Sequence, residues 1–216
     1  YFGRSMAALG DLDGDGVRDL AVGAPGADGA FFGEGAVWVL FLQADGSVRD
    51  EQEISSLQGG FVGPLGQAHS FGGAIAPLGD LDGDGVIDLG VGAPGRATRG
   101  TTFVLFLAAD GTVRAQQELG SGLGGFGGSL TTNDGFGSAV TALGDLDGDG
   151  VDEIAVGAAG WSSSATTGAL WVLALGNDGR VVDEYPIREG TAGFPTSTLD
   201  SEASFGHSLT ALGDID

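Results

Sequence analysis

Acidic side chains recur at positions 1, 3, 5 and 9 of one short loop, in DLDGDGVRDL at Asp11–Leu20, DLDGDGVIDL at Asp80–Leu89 and DLDGDGVDEI at Asp145–Ile154. A fourth copy opens at Asp214 and reaches Asp216. Four carboxylates held this close repel one another unless a cation lies between them, and an all-oxygen donor set selects a hard ion such as calcium. In the first copy Asp11, Asp13 and Asp15 would each offer one oxygen, the Val17 carbonyl another, and Asp19 the closing carboxylate. The second copy would use Asp80, Asp82, Asp84, the Val86 carbonyl and Asp88. The third would use Asp145, Asp147, Asp149, the Val151 carbonyl and Glu153, whose extra methylene bears on its denticity. Asp214 and Asp216 begin a truncated fourth site, so the expectation is Ca2+ at three complete sites and part of another. Gly16 at position 6 permits the sharp turn that wraps backbone around an ion.

An EF-hand needs a glutamate at position 12 and a helix on either side of the loop. Position 12 is Val22, Val91 and Val156, and the residues that follow read as a strand ending at glycine. A dockerin-like loop fails for the same want of a helix. The plain alternative is a set of Asp/Gly turns without metal, which three copies in register, each closed by an acid at position 9, make hard to sustain. Ions in such loops are structural: they neutralise the loop and fix the connection between its flanking strands.

Those flanking elements repeat with the loop. A Phe-Gly pair opens each unit, at Phe2-Gly3, Phe71-Gly72, Phe136-Gly137 and Phe205-Gly206, with spacings of 69, 65 and 69 residues. Each first loop aspartate follows its phenylalanine by nine residues. Each unit reads as four strands, A to D. Strand A runs near Ser5–Leu9 into the acidic loop, and strand B, Asp19–Gly23, ends in Gly-Ala-Pro-Gly (Gly23–Gly26 and Gly92–Gly95). The third copy departs here, with Ala159 in place of the proline. Strand C is the apolar run Val37–Leu42, matched by Phe103–Leu107 and Leu170–Leu175. An Asp-Gly turn follows, at Asp45-Gly46, Asp110-Gly111 and Asp178-Gly179, the chemistry of a tight hairpin. Strand D, near Val48–Ile54, is more polar, as an outer edge should be.

Strand C has no polar face, so both of its sides must be buried. Four-stranded sheets packed radially face to face achieve this, which predicts an all-β fold: a β-propeller of four-stranded antiparallel blades. The blades are expected at about 2–70, 71–135 and 136–204, with a partial blade at 205–216. A β-solenoid is the rival, but its repeats are usually nearer ~20–30 residues. Propellers close with about four to eight blades, so three imply either a fragment of a larger propeller or a homo-oligomer that completes the ring.

The chain has 216 residues, 44 glycines, no cysteine and a formal net charge of −22. A hydrophobic content of 42% argues against disorder despite the charge. Fourteen of the 30 acids lie in the motif, and three divalent ions would still leave about −16. Eight arginines and no lysine cannot form a cationic track along phosphates, which excludes nucleic acid as a partner. The same charge is repelled by an anionic membrane surface, and no apolar run has the length to insert in one. Without cysteine there are no disulfides, zinc thiolates or thiol nucleophiles.

The Phe-Gly opening, the DxDxDGxxD loop and the Gly-Ala-Pro ending together resemble FG-GAP repeats, the blades of the integrin α-subunit propeller and of many bacterial surface proteins. The resemblance covers essentially the whole chain. It implies a calcium-stabilised propeller, usually seven-bladed, in an extracellular or cell-surface protein concerned with adhesion, with the calcium ligands on the positions named above. Near-identical motifs and the lack of lysine suggest a bacterial relative.

Up-and-down strand order would put the A–B acidic loops and C–D turns on one face, and the B–C and D–A connections on the other. Length varies mostly in B–C: first loop aspartate to turn glycine is 35, 31 and 34 residues, against 25, 25 and 26 from turn glycine to the next phenylalanine. Variable loops on a constant scaffold carry binding, so a protein or glycan ligand is expected on the face opposite the calcium loops, near Phe31, Phe32, Arg96, Arg99 and Trp161. The plainer reading makes those aromatics gap fillers and the arginines solvated. His69 and His207 each neighbour a serine, Ser70 and Ser208, but adjacent strand residues point to opposite faces. With no nucleophile elbow or phosphate loop, the chain reads as a non-catalytic interaction module. The alternatives are an accessory propeller of a larger secreted enzyme and a self-assembling repeat unit. Asp13→Ala is expected to lower the melting temperature in calcium far more than in excess chelator, because the side chain acts through the ion. Equal losses in the two conditions would count against a metal in that loop.

Overall fold

A computed structural model describes residues 1–96, 99–160, 167–196, 199–200 and 203–213. Its strands are β1 (Met6–Gly10), β2 (Asp19–Ala24), β3 (Ala36–Leu42), β4 (Val48–Ile54), β5 (Ala74–Pro77), β6 (Leu89–Ala93), β7 (Thr101–Leu107), β8 (Val113–Leu119), β9 (Phe136–Gly144), β10 (Glu153–Ala158), β11 (Ala169–Leu175) and β12 (Val181–Ile187). They form three four-stranded antiparallel meanders, β1 to β4, β5 to β8 and β9 to β12, one for each sequence repeat. No helix among the described residues is long and apolar enough to cross a membrane. The sheets are propeller blades, each with its A strand innermost and its D strand at the outer edge.

The apolar C strands decide how the blades stack. All seven residues of β7 are buried, because the middle blade has a neighbour on each side, whereas β3 and β11 bury only part of theirs. One apolar cluster joins blades one and two through residues such as Val39, Phe41, Leu89 and Leu105. A second joins blades two and three through Val104, Phe106, Ile154 and Leu173. The Asp-Gly turn of one blade leans on the C strand of the blade before it: a Cβ on Gly111 would meet Val39 and Phe41, and one on Gly179 would meet Val104 and Phe106. The D–A connection ties the same seam at the rim, where Val113 N–H donates to the Gly59 carbonyl and Val181 N–H to that of Gly124, both at 2.8 Å.

The Phe-Gly pair is the latch between blades. Phe71 N–H donates to the Glu34 carbonyl at 2.9 Å and Phe136 N–H to that of Arg99 at 2.9 Å, reaching into the preceding blade where its B–C connection enters strand C. The ring then closes an aromatic triad: Phe71 stands 4.8 Å from Phe61 and 5.6 Å from Phe103, and Phe61 is 5.2 Å from Phe103. The next seam repeats it with Phe126, Phe136 and Trp171. Phe61 and Phe126, in the D–A connections, have no counterpart in the expectations from sequence. Behind each ring the backbones touch. A Cβ on Gly23 would lie 2.1 Å from the Gly72 carbonyl oxygen, on Gly92 2.0 Å from that of Gly137, and on Gly157 1.9 Å from that of Gly206. The Phe-Gly and Gly-Ala-Pro motifs are thus two halves of one contact. In the third blade Ala159 has an N–H that proline lacks, and it donates to Ser138 Oγ at 3.3 Å.

Phe71 is fully buried while Phe2, the same motif residue on the first blade, is 63% exposed. Phe71→Ala is therefore expected to cost about 3–5 kcal/mol, and Phe2→Ala less than about 1 kcal/mol. Gly92→Ala is expected to cost about 3 kcal/mol by forcing two backbones apart. Denaturant unfolding of the three variants measures each loss.

Candidate metal centres and the opposite face

Each acidic loop joins an A strand to a B strand, and its carboxylates are first organised by the loop's own backbone. The position 1 acid accepts the position 6 N–H: Asp11 from Gly16 at 2.9 Å, Asp80 from Gly85 at 2.8 Å, Asp145 from Gly150 at 3.0 Å. The position 5 acid accepts the position 7 N–H: Asp15 from Val17, Asp84 from Val86, Asp149 from Val151. Glycines 16, 85 and 150 have φ of 88°, 89° and 92°, a left-handed turn that a β-carbon would strain. The side chains of Val86 and Val151 pack against the apolar clusters, which roots the loop's far end.

This folding gathers ligand atoms. Oxygens of Asp11, Asp13 and Asp15 lie within 4.8 Å of one another, as do those of Asp80, Asp82 and Asp88, and of Asp145, Asp147 and Glu153. Asp214 and Asp216, the expected start of a fourth site, lie outside the described residues. The position 9 acids are buried at the base of the loop. Asp19 spends both oxygens on backbone, accepting Leu12 N–H and Leu42 N–H at 3.0 Å each. Asp88 does the same with Leu81 at 3.0 Å and Leu107 at 3.2 Å. These acids tie the A–B loop to the end of strand C, a role that spacing alone did not disclose. Glu153 takes only the Leu146 N–H, at 2.6 Å.

Two oxygens test whether the loops suit a cation. Asp82 Oδ1 and Glu153 Oε1 are buried without a hydrogen-bond partner, and Glu153 is only 4% exposed. A buried carboxylate oxygen with no donor is costly unless a positive charge faces it. Burial pushes the Asp88 carboxyl up to about 6, against the pull of the Leu81 and Leu107 N–H groups and with a further push from Asp82 and Asp84. Hard, all-oxygen, negatively charged and partly orphaned, the set fits calcium. Sequence reasoning missed two arginines at this face. Arg49 bonds to Asp13 and Asp15, and Arg114 Nη2 bonds to Asp82 and Asp84 at 2.6 Å each. Their signal was an arginine following Val48 and Val113 just after each Asp-Gly turn; the third repeat has Val182 there.

The B–C and D–A connections do emerge on the opposite face. Phe31 and Phe32 are exposed there, on a loop held by buried Glu34, which accepts Ala30 N–H and Phe31 N–H at 3.1 Å each. Arg96 is engaged by Glu118, with Nε to Oε1 at 2.7 Å, and Arg99 donates to Ser121 Oγ at 3.1 Å. Trp161 lies outside the described residues. His69 Nδ1 accepts the Gly66 N–H at 2.8 Å, and desolvation, followed by the Arg96 charge, lowers its pKa, so it serves as a loop acceptor.

Three sheets with Phe-Gly latches and acidic A–B loops invite comparison with known proteins. A family model described as FG-GAP repeat matches residues 2–40 and 136–173. The chain carries FG-GAP repeats. It is 34% identical over 166 residues to integrin alpha-PS5 of Drosophila melanogaster, a match covering 74% of this chain and 15% of that protein. With mouse integrin alpha-IIb it is 36% identical over 173 residues, 76% of this chain and 15% of that one. Human integrin alpha-IIb gives 38% over 168 residues, 74% and 15%. The chain thus spans about 15% of the length of these relatives. The middle FG-GAP repeat, which the family model does not match, has the same sheet and latch as its neighbours.

Asp19→Ala separates anchoring from ligation. It leaves two backbone N–H groups without their acceptor and is expected to cost about 2–4 kcal/mol in calcium and in chelator alike. A loss confined to calcium in paired melts would make Asp19 a ligand first.

Proposed function

We propose that this FG-GAP propeller is a calcium-stabilised, non-catalytic interaction module that works outside the cell or at its surface. The observation that carries the reading is the pair of buried, partnerless carboxylate oxygens, Asp82 Oδ1 and Glu153 Oε1, within clustered acidic loops. Asp11, Asp13 and Asp15, then Asp80, Asp82, Asp84 and Asp88, then Asp145, Asp147, Asp149 and Glu153 would hold the ions, with the carbonyls of Val17, Val86 and Val151. Asp88 would ligate through a remaining lone pair of the oxygen gathered with Asp80 and Asp82, whereas Asp19 serves first as an anchor. The ion's chemistry there is charge neutralisation: it lets the A–B connections stay compact under a net charge of −22. The partner, a protein or glycan, meets the B–C and D–A face, where Phe31 and Phe32 are exposed. Similarity to integrin α chains supports an adhesive role for the module.

A second reading concerns closure. Phe2 is exposed although its counterparts Phe71 and Phe136 are fully buried, which favours a further blade seated against Phe2 and Trp38. Sedimentation mass with and without chelator tests whether a second copy supplies it.

Calorimetric calcium titration tests the main reading, and uptake of no calcium at neutral pH would overturn it. The pH dependence follows from Asp88. Its carboxyl moves from 3.8 unfolded to about 6 folded, so ionising it costs folded stability above about pH 6, and that cost vanishes as the pH falls toward 3.8. Calcium takes the ionised form. Affinity at the second loop is therefore expected to drop about fourfold between pH 7.5 and pH 5.5.

A further inference from the structure

The three FG-GAP loops share one ligand pattern but not one electrostatic setting. In each blade the C–D hairpin carries a bulge just after its Asp-Gly turn. Leu42 pairs with Val48 and Phe41 with Asp50, leaving Arg49 opposite nothing. Leu107 pairs with Val113 and Phe106 with Ala115, leaving Arg114. Leu175 pairs with Val181 and Ala174 with Asp183, leaving Val182. A bulge bends its strand and re-aims the extra side chain. Here it turns that side chain onto the neighbouring A–B loop of the same blade, since the C–D turn and the A–B loop share a face. Arg49 reaches the carboxylates of Asp13 and Asp15, and its guanidinium also lies 5.9 Å from the centre of the Phe41 ring. Arg114 reaches Asp82 and Asp84. Val182 is 66% exposed, and among the described residues no ion pair reaches the third loop. That loop holds the partnerless Glu153 Oε1; the second loop also keeps such an oxygen, Asp82 Oδ1, but there Arg114 pairs with the other oxygen of the same carboxylate.

Resting on the calcium reading above, we propose that the bulge residue grades the calcium dependence of the blades. Arg49 and Arg114 are built-in counter-charges that share loop carboxylates with the ion, so the first two loops bind calcium more weakly and hold together without it. The third loop, with valine at the bulge, binds calcium most tightly and is the one whose folding depends on it. The chain would then lose order at its third blade first when calcium falls. Physically, a guanidinium on the oxygens of two aspartates must be displaced or accommodated when a divalent cation takes the same groups, and its charge repels that cation.

Calcium calorimetry of the whole chain, paired with melts in calcium and in chelator, tests this on Arg49→Gln, Arg114→Gln and Val182→Arg. The wild-type isotherm is expected to resolve one tight site and two weaker ones. Each arginine removal is expected to tighten its site by up to about fivefold. It should also lower the melting temperature in chelator by about 2–4 °C, with little change in saturating calcium. Val182→Arg is expected to do the reverse, weakening the tight site and raising the melting temperature in chelator only. Val62→Arg, at a residue 85% exposed on the D–A connection between β4 and β5, reports the general effect of adding positive charge to this acidic chain and should leave the isotherm unchanged. Three equivalent sites, or melting shifts equal in calcium and chelator, would overturn the grading while leaving the calcium reading intact. A wild-type chain that takes up no calcium overturns the calcium reading itself, and the chelator melts still decide whether the arginines hold the loops.

Discussion

The structure depends on backbone meeting backbone at the blade seams. Strand C is apolar on both faces, so a blade cannot stand alone, and burying β7 on both sides requires neighbours packed closely along its whole length. Gly23 against Gly72 and Gly92 against Gly137 permit that approach because neither side of the contact carries a Cβ. The space beyond the glycines is filled by a triad of rings, one from the D–A connection and two from the next blade. Each triad unites residues from two repeats, so the repeat in sequence and the packing unit in space are offset by one element. The meander within each blade fixes which loops share a face, and with it the separation of the acidic loops from the variable ones.

On the acidic face the same constraint divides labour among carboxylates that look equivalent in sequence. Those at positions 1 and 5 brace the loop through its own N–H groups. Those at position 9 lie buried, and Asp19 and Asp88 each bond two backbone donors at the junction of the loop with strand C. Burying a carboxylate is costly, and burial is the main reason the Asp88 carboxyl is pushed up to about 6. A loop organised this way is stable only if positive charge is supplied from somewhere. The fold itself delivers one such source, the bulge arginines Arg49 and Arg114, to the first two loops, and among the described residues no ion pair reaches the third.

Much of this was legible because the signals were periodic. Phe-Gly, the acidic loop, Gly-Ala-Pro and Asp-Gly recur in fixed order, and strand boundaries agree with the structure to within a residue or two. What escaped notice takes its role from distant contacts even where it recurs, as Gly-Gly-Phe does at Gly59–Phe61 and Gly124–Phe126 and Val-Arg at Val48-Arg49 and Val113-Arg114. Phe61 and Phe126 sit in connections whose sequences otherwise read as loop, and only packing shows that they complete a core. Ser138 looks like an ordinary strand residue until its hydroxyl meets the N–H that Ala159 exposes in place of proline. Arg49 and Arg114 stand thirty or more residues from the aspartates they contact, and nothing local ties them together.

By itself, then, the sequence determined the blade, its four strands, the clustering of acids in the A–B loops and the family to which those motifs point. These follow from short-range chemistry: alternation, glycine turns and the repulsion of neighbouring carboxylates, all of which operate within a few residues. Tertiary structure alone decided which acids brace, which anchor and which keep an oxygen free. It also decided that a bulge arginine in one hairpin meets the carboxylates of a different loop. Those outcomes depend on which groups become neighbours after the meander folds back on itself, and on how much water is excluded from between them.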